Sequence, residues 1–173
     1  MCCNGVIFAD VQLQAEDVPA RLEALGLRLA ARAGEEREKQ TASAGSIAAD
    51  ADQKFCQPCA AFQEGRCRIY DQRPGHCRQF ECLLLRRFRE GRTLGAAALR
   101  EIRKTQRQAE QALLLLRELG DTDEQLPLAR RFRRTAERLE TVDMDADRAQ
   151  IYGRLTVAVL DLNFQLSTFF YPG

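Results

Sequence analysis

The sequence lacks the features that mark membrane proteins, secreted proteins and several enzyme classes. No apolar stretch approaches the roughly 20 residues that span a bilayer, and the best run, Leu155 to Leu162, contains Asp161. The first residues carry neither a basic segment nor an apolar core, so no secretory signal is visible. There is no nucleotide-binding glycine loop and no Ser-His-Asp ordering. A net charge of +1 gives no general attraction to nucleic acid or membrane. We therefore expect a cytoplasmic protein that binds neither, and the sequence assigns it no reaction.

Tryptophan is absent and histidine is scarce, whereas cysteine is abundant. The 173 residues contain one histidine, no tryptophan and seven cysteines. All seven cysteines lie at or before Cys82, and their odd number argues against a closed disulfide framework. Because cytosolic cysteines stay reduced, a dense set of them indicates metal or redox chemistry. The chemistry is expected in the N-terminal half of the chain.

The composition changes along the chain and predicts two regions. Residues 1–85 are Cys-rich, and residues 86–173 follow helical periodicity. Residues 33–53 are small and polar and are interpreted as a flexible excursion. We expect a mainly α protein, in which a small Cys-rich α+β metal-binding region docks on a C-terminal antiparallel helical layer.

Local patterns predict the elements of the Cys-rich region. Apolar residues between positions 6 and 13 indicate a short strand. Asp17 is the expected N-cap of a helix, whose apolar face would hold Leu22, Leu25 and Leu29. A hairpin is expected around Gly65, with a second turn at residues 73–75.

The helical region carries clear start and stop signals. Apolar residues at three- and four-residue steps predict a long helix that ends at Gly120. Pro127 opens the next helix, and Asp145 or Asp147 caps the last one. Four arginines between positions 130 and 134 are interpreted as a solvated helix face.

Five cysteines lie within 27 residues, spaced as Cys56-x2-Cys59, Cys67, Cys77 and Cys82. A C-x2-C pair lets two thiolates reach one metal from a tight turn. Residues 54–83 are too short to bury a core of their own, so a metal is expected to hold them together. One alternative is a set of buried free thiols that act as small apolar side chains. The other is a catalytic disulfide, but no βαβ pattern surrounds the pair.

The expected ligand set follows from the predicted turns. Cys56 and Cys59 would share one turn, Cys67 would end the hairpin, and Pro74 would return the chain so that Cys77 joins them. The preferred core of the site is Cys56, Cys59, Cys67 and Cys77. Cys3 and Cys82 are the next candidates, and Cys2 follows because the side chains of adjacent residues diverge.

Local charge supports a metal site. Residues 54–89 hold eight basic and three acidic residues. Four thiolates around a divalent ion or an oxidised four-iron cluster leave a charge of about −2, which nearby guanidinium groups would offset. This argument does not separate zinc from an iron–sulfur cluster.

The run Cys67-Arg68-Ile69-Tyr70-Asp71-Gln72-Arg73-Pro74-Gly75-His76-Cys77-Arg78-Gln79-Phe80, preceded by Cys56-Gln57-Pro58-Cys59, resembles the YkgJ-type cysteine-cluster family. Members of this family are described as zinc- or iron-chelating and often as containing an iron–sulfur cluster. The resemblance covers roughly residues 1–85. Cys2-Cys3 matches the closing pair of the family's C-x2-C-x2-C-C motif, and Cys82 matches its final cysteine.

Met1 stands where that motif would continue upstream. We therefore expect the natural protein to begin earlier and to contribute up to two more cysteines.

The sequence thus predicts a metal-binding protein that holds an iron–sulfur cluster or iron through thiolates. One alternative is a structural zinc module that supports protein–protein interaction through the C-terminal helices. Another is metal storage or delivery, which weak binding by exposed thiols would favour. His76 is expected to be exposed in a turn rather than to bind metal.

Overall fold

The computed structural model describes residues 1–30 and 53–171. The chain forms two units, Cys2–Phe80 and Glu81–Gly173, so the division falls slightly before the predicted one at residue 85. The described residues are about 55% helical and include small antiparallel sheets, which confirms a mainly α protein with α+β content. The predicted docking of the two regions stays a prediction. The predicted excursion at residues 33–53 lies outside the described residues, apart from Gln53.

The first unit is built on a three-stranded antiparallel sheet. Its strands are β1 (Asp10–Gln12), β2 (Leu29–Ala30) and β3 (Lys54–Cys56), with β3 in the centre. Phe55 pairs with Val11 on one side and with Leu29 on the other. Because strand side chains alternate between faces, Phe55 enters the apolar core while its neighbours Lys54 and Cys56 point to the opposite face.

The helix of this unit differs from the prediction. α1 spans Pro19–Ala24 and its N-cap is Val18, so the prediction that Asp17 caps it is wrong. The Asp17 carboxylate instead accepts hydrogen bonds from the backbone N–H groups of Gln14 and Gly75. Gly26, with φ of 89°, turns the chain after α1, so Leu29 lies in a strand rather than on the helix.

The predicted hairpin is confirmed. β4 (Phe62–Gln63) and β5 (Arg66–Cys67) pair antiparallel across a two-residue turn. Both turn residues have positive φ, 50° at Glu64 and 76° at Gly65, as a type I′ turn requires. A short helix follows, α2 (Gly75–Gln79).

Residues 54–83 do not bury an apolar core of their own but share one with residues that precede the excursion. Phe55, Ala61 and Ile69 are buried together with residues from before the excursion. Those earlier residues are Val11, Leu13, Leu22 and Leu27.

The second unit contains four helices within its described residues. They are α3 (Leu83–Arg89), α4 (Gly95–Glu118), α5 (Leu128–Glu140) and α6 (Ala146–Phe169). The predicted boundaries are confirmed: Gly120 turns the chain after α4 with φ of 84°, and Pro127 directly precedes α5. Of the two proposed caps for α6, Asp145 is correct, since its side chain accepts from the backbone N–H of Arg148 at 2.8 Å.

α4 and α6 pack against each other along an apolar seam. The amide of Gln165, near the end of α6, donates to the carboxylate of Glu101, near the start of α4, at 2.7 Å. The two helices are therefore antiparallel, as expected. The seam buries Ala112, Leu115, Leu116, Leu155, Leu162 and Leu166.

The arginines of α5 are not all solvated. Arg131 is only 3% exposed and lies beside Asp121, which is 2% exposed. Arg134 donates to the same carboxylate at 2.8 Å and to Asp123 at 2.9 Å. Arg133 fits the predicted solvated face, whereas Arg131 and Arg134 hold the loop between α4 and α5.

Among the described helices, none combines the length and apolarity needed to cross a membrane.

Candidate metal centre

The seven cysteines all lie in the described residues, and all are free thiols. Five of them face a single cavity of about 630 Å³ within the Cys2–Phe80 unit. These five are Cys2, Cys3, Cys59, Cys67 and Cys77. Much of the remaining wall is aromatic, formed by Phe8, Phe55, Phe62, Tyr70 and Phe80.

Backbone hydrogen bonds bring the N-terminal thiols to the C-x2-C turn. The N–H of Cys59 donates to the carbonyl of Cys3 at 2.8 Å. The N–H of Phe62 then donates to the carbonyl of Cys59 at 2.9 Å, which leads the chain into β4. Cys3 and Cys59 are therefore neighbours, although 56 positions separate them in sequence.

The hairpin places Cys67 on the same wall. Cys67 pairs with Phe62 at the open end of the hairpin. The next N–H, that of Arg68, donates to the carbonyl of Ala61 at 2.9 Å. The hairpin thus returns the chain directly to the turn that carries Cys59.

Cys77 reaches the cavity on α2, which residues 14–17 hold in place. The carboxylate of Asp17 accepts from the N–H of Gly75 at 2.8 Å, and the amide of Gln14 donates to Gln79 at 3.0 Å. A Cβ atom at position 75 would collide with the Gln14 side chain, so glycine permits this close approach.

The two other candidate ligands lie elsewhere. Cys56 is on β3, and the described residues that line the cavity include its neighbour Phe55 but not Cys56. Strand alternation is the physical reason, because two adjacent side chains of a strand cannot face the same side. Cys82 belongs to the Glu81–Gly173 unit, where it precedes α3. Metal ligation by Cys56 and Cys82 stays a prediction.

Four of the cavity thiols share one electrostatic environment. Burial raises the pKa of the Cys3 and Cys59 thiols above the ordinary value of 9.0. Burial also raises the pKa of Cys77, to about 12. Each pKa is raised further by neighbouring thiols of the set Cys3, Cys59 and Cys67. A metal that bound these thiols would displace their protons, so its binding would be coupled to proton release.

Arg73 places a positive charge beside the thiols. Its guanidinium lies 3.7 Å from the centroid of the Tyr70 ring, and its Nε donates to the Tyr70 carbonyl at 2.8 Å. The charge lowers the pKa of both Cys3 and Cys77, in opposition to burial. Such a fixed cation favours the thiolate form that a metal requires.

His76 is not in the exposed turn that the sequence suggested. It lies in α2, half-buried, on the cavity wall. Its ring stacks against Phe80 at a centroid distance of 6.0 Å and meets Phe8 edge-on at 5.7 Å. Its Nε2 atom is buried and has no hydrogen-bond partner within the described part of the chain. The sequence feature that could have indicated the place of His76 on the cavity wall is its position next to Cys77.

The cavity wall carries the right donors for a metal, but the thiols do not close around one point. No three Cys, His, Asp or Glu side chains among residues 1–30 and 53–171 are arranged to hold a single metal ion. Zinc binds thiolates at about 2.3 Å, which places tetrahedral sulfur ligands about 3.8 Å apart. Thiolates also hold iron–sulfur clusters, which place several irons and sulfides between the ligands. The donor type fits both groups.

Comparison of the chain with protein-family models, curated proteins and solved structures gives no match. The class of protein is therefore described by its fold and site alone. It is a mainly α protein whose smaller α+β unit contains a thiol-lined cavity. The resemblance of residues 1–85 to the YkgJ-type family stays a prediction.

Proposed function

We propose that the Cys2–Phe80 unit binds an iron–sulfur cluster through Cys3, Cys59, Cys67 and Cys77. One observation carries the proposal: the four thiols of Cys3, Cys59, Cys67 and Cys77 face one cavity of about 630 Å³. Cys2 faces the same cavity and is the reserve ligand.

The size of the cavity favours a cluster over zinc. A single ion with four thiolates leaves no space between ligands, so a zinc site would have its sulfurs in near contact. A cluster instead fills the centre of a wider ring of sulfurs. A cavity of about 630 Å³ has room for the larger group.

The surroundings of the thiols suit a charged, oxygen-sensitive group. Arg73 and Arg66 both reach the cavity, and their charges offset the charge of about −2 that an oxidised four-iron cluster carries with its thiolates. The aromatic side chains make part of the cavity lining apolar, and the polarity around such a group affects its reduction potential. A bound cluster would supply one-electron transfer, while the chain would hold, shield and electrostatically balance it. Reduced thiols are maintained in the cytoplasm, where we place the protein.

Anaerobic purification followed by assays for iron, acid-labile sulfide and zinc tests the proposal. We expect iron and sulfide in equal amounts, together with broad visible absorption that dithionite bleaches. One zinc per chain with no colour would instead establish the structural zinc module. Failure to take up iron and sulfide during anaerobic reconstitution would also overturn the proposal.

A further inference from the structure

The outer face of α6 carries an apolar stripe that no described residue covers. The inner face of this helix packs against α4, yet the outer face exposes Val157 by 58%, Leu160 by 63% and Phe164 by 71%. Gly153 continues the same face one turn earlier and is also exposed. α6 is therefore apolar on two sides, which is typical of a helix with a second packing partner.

The spacing of the stripe is that of a coiled-coil seam. Positions 153, 157, 160 and 164 alternate steps of four, three and four residues, as a and d positions of a heptad do. Isolated exposed apolar residues need no explanation, but a continuous seam marks a surface that another helix covers.

The charged residues beside the stripe can form ion pairs with the same residues of a second copy of α6. Arg154 and Asp161 are exposed and occupy the same heptad position, seven residues apart. In a parallel pair of α6 helices, these two residues would face uncharged residues of the copy, Thr156 among them, and would form no ion pair. In an antiparallel pair, Arg154 of one helix faces Asp161 of the other, and two identical ion pairs form.

The stripe is also centred on the helix. The four positions are symmetric about the point between residues 158 and 159, close to the middle of α6 (Ala146–Phe169). A second α6 packed antiparallel would overlap it over about 33 Å. Phe164 would then face Gly153 of the copy, where a Cβ atom would meet nothing within 4 Å, so there is space for the ring.

We infer that α6 is a homodimer interface, in which a second copy of this chain packs antiparallel on the stripe Gly153, Val157, Leu160 and Phe164. Two symmetric Arg154–Asp161 pairs fix the direction. The inference is independent of the metal proposal, because it rests only on residues of the Glu81–Gly173 unit.

Sedimentation or light scattering of the purified full chain tests the interface. We expect the wild-type chain to be a dimer and Leu160→Asp to be a monomer with unchanged far-UV circular dichroism. The matched control is Leu114→Asp, which places the same charge at an exposed leucine of α4 and should stay dimeric. A monomeric wild-type chain would overturn the inference, as would a Leu160→Asp dimer.

A charge exchange tests the direction of packing. Arg154→Asp and Asp161→Arg alone should each raise the dissociation constant about tenfold, because both symmetric pairs become repulsive. The double exchange should restore the wild-type dissociation constant. If the double variant dissociates as readily as the single variants, the antiparallel arrangement is wrong.

Discussion

The pKa of Cys77 shows how the cavity changes the acidity of a single side chain. Burial first, and then neighbouring thiols, raise the pKa of this side chain to about 12 from an ordinary 9.0. Between these values, the folded metal-free chain holds a proton that the unfolded chain releases. Stability from this group is therefore complete below about pH 9 and is lost as the pH rises towards about 12.

Alkaline pH should accordingly destabilise the metal-free wild-type protein more than a Cys77→Ser variant. Urea denaturation of both proteins between pH 8 and about pH 12 measures this. We expect the unfolding free energy of the wild type to fall towards that of the variant as the pH rises. A difference between the two proteins that is independent of pH would contradict the shifted pKa of Cys77.

Cys56 and Cys59, the two cysteines of the C-x2-C pair, show which part of the site the sequence spacing could predict. The spacing identified Cys59, which lies on the cavity wall. It could not show that Cys56 ends a strand whose preceding residue, Phe55, is buried. The face of Cys56 depends on the register between β3 and β1, and residues more than 40 positions apart set that register. The proximity of Cys3 to Cys59 could not be predicted either, since the hydrogen bond between them is non-local.

At the scale of elements, the β4–β5 hairpin depends on its two turn residues. Gly65 adopts a φ of 76° at no steric cost, whereas Glu64 adopts 50° against its preference. Gly65→Ala should lower the unfolding free energy of the Cys2–Phe80 unit by about 1–2 kcal/mol.

Glu64→Asn is the matched variant at the neighbouring position. It should raise stability, because Asn-Gly is a preferred type I′ sequence. Thermal denaturation of both variants measures the effect. Equal melting temperatures for the two variants would contradict the turn type.

The loop between α4 and α5 depends on one buried carboxylate. Asp121 and Arg131 lie beside each other and are almost fully buried. The Asp121 carboxylate accepts a hydrogen bond from Arg134. Asp121→Ala would leave the Arg131 charge unpaired and should cost about 3–5 kcal/mol of unfolding free energy.

The control for that substitution is Asp123→Ala. Asp123 pairs with Arg134 at the surface, so its removal should change the urea unfolding midpoint little. Similar destabilisation by both substitutions would show that burial of Asp121 is not the cause.

Local signals explain which elements could be predicted. Gly120, Pro127 and Asp145 act within one turn of a helix, so the ends of α4, α5 and α6 were found in the sequence. Leu29 was misplaced because its spacing from Leu22 and Leu25 also fits a helix. Only pairing with β3, across the excursion, makes Leu29 part of a strand. The burial of Arg131 was missed because its carboxylate partner lies on a different element.

At the scale of the whole molecule, the division into two units predicts that metal affects them unequally. The proposed ligands all belong to Cys2–Phe80, whereas the long helices belong to Glu81–Gly173 and have their own apolar seam. Metal removal should therefore lower the melting temperature of the first unit and leave most helical circular dichroism intact. Thermal melting before and after chelation measures this. Loss of the helical signal in the same transition would contradict independent units.

The central claim is that Cys3, Cys59, Cys67 and Cys77 form one ligand set to which Cys56 does not belong. Iron and sulfide content of anaerobically purified single variants tests it most directly. Cys67→Ser and Cys3→Ser should lose most of the bound iron and sulfide, while Cys56→Ser should retain the wild-type content. Full retention in Cys67→Ser, or loss in Cys56→Ser equal to that in Cys67→Ser, would contradict the account.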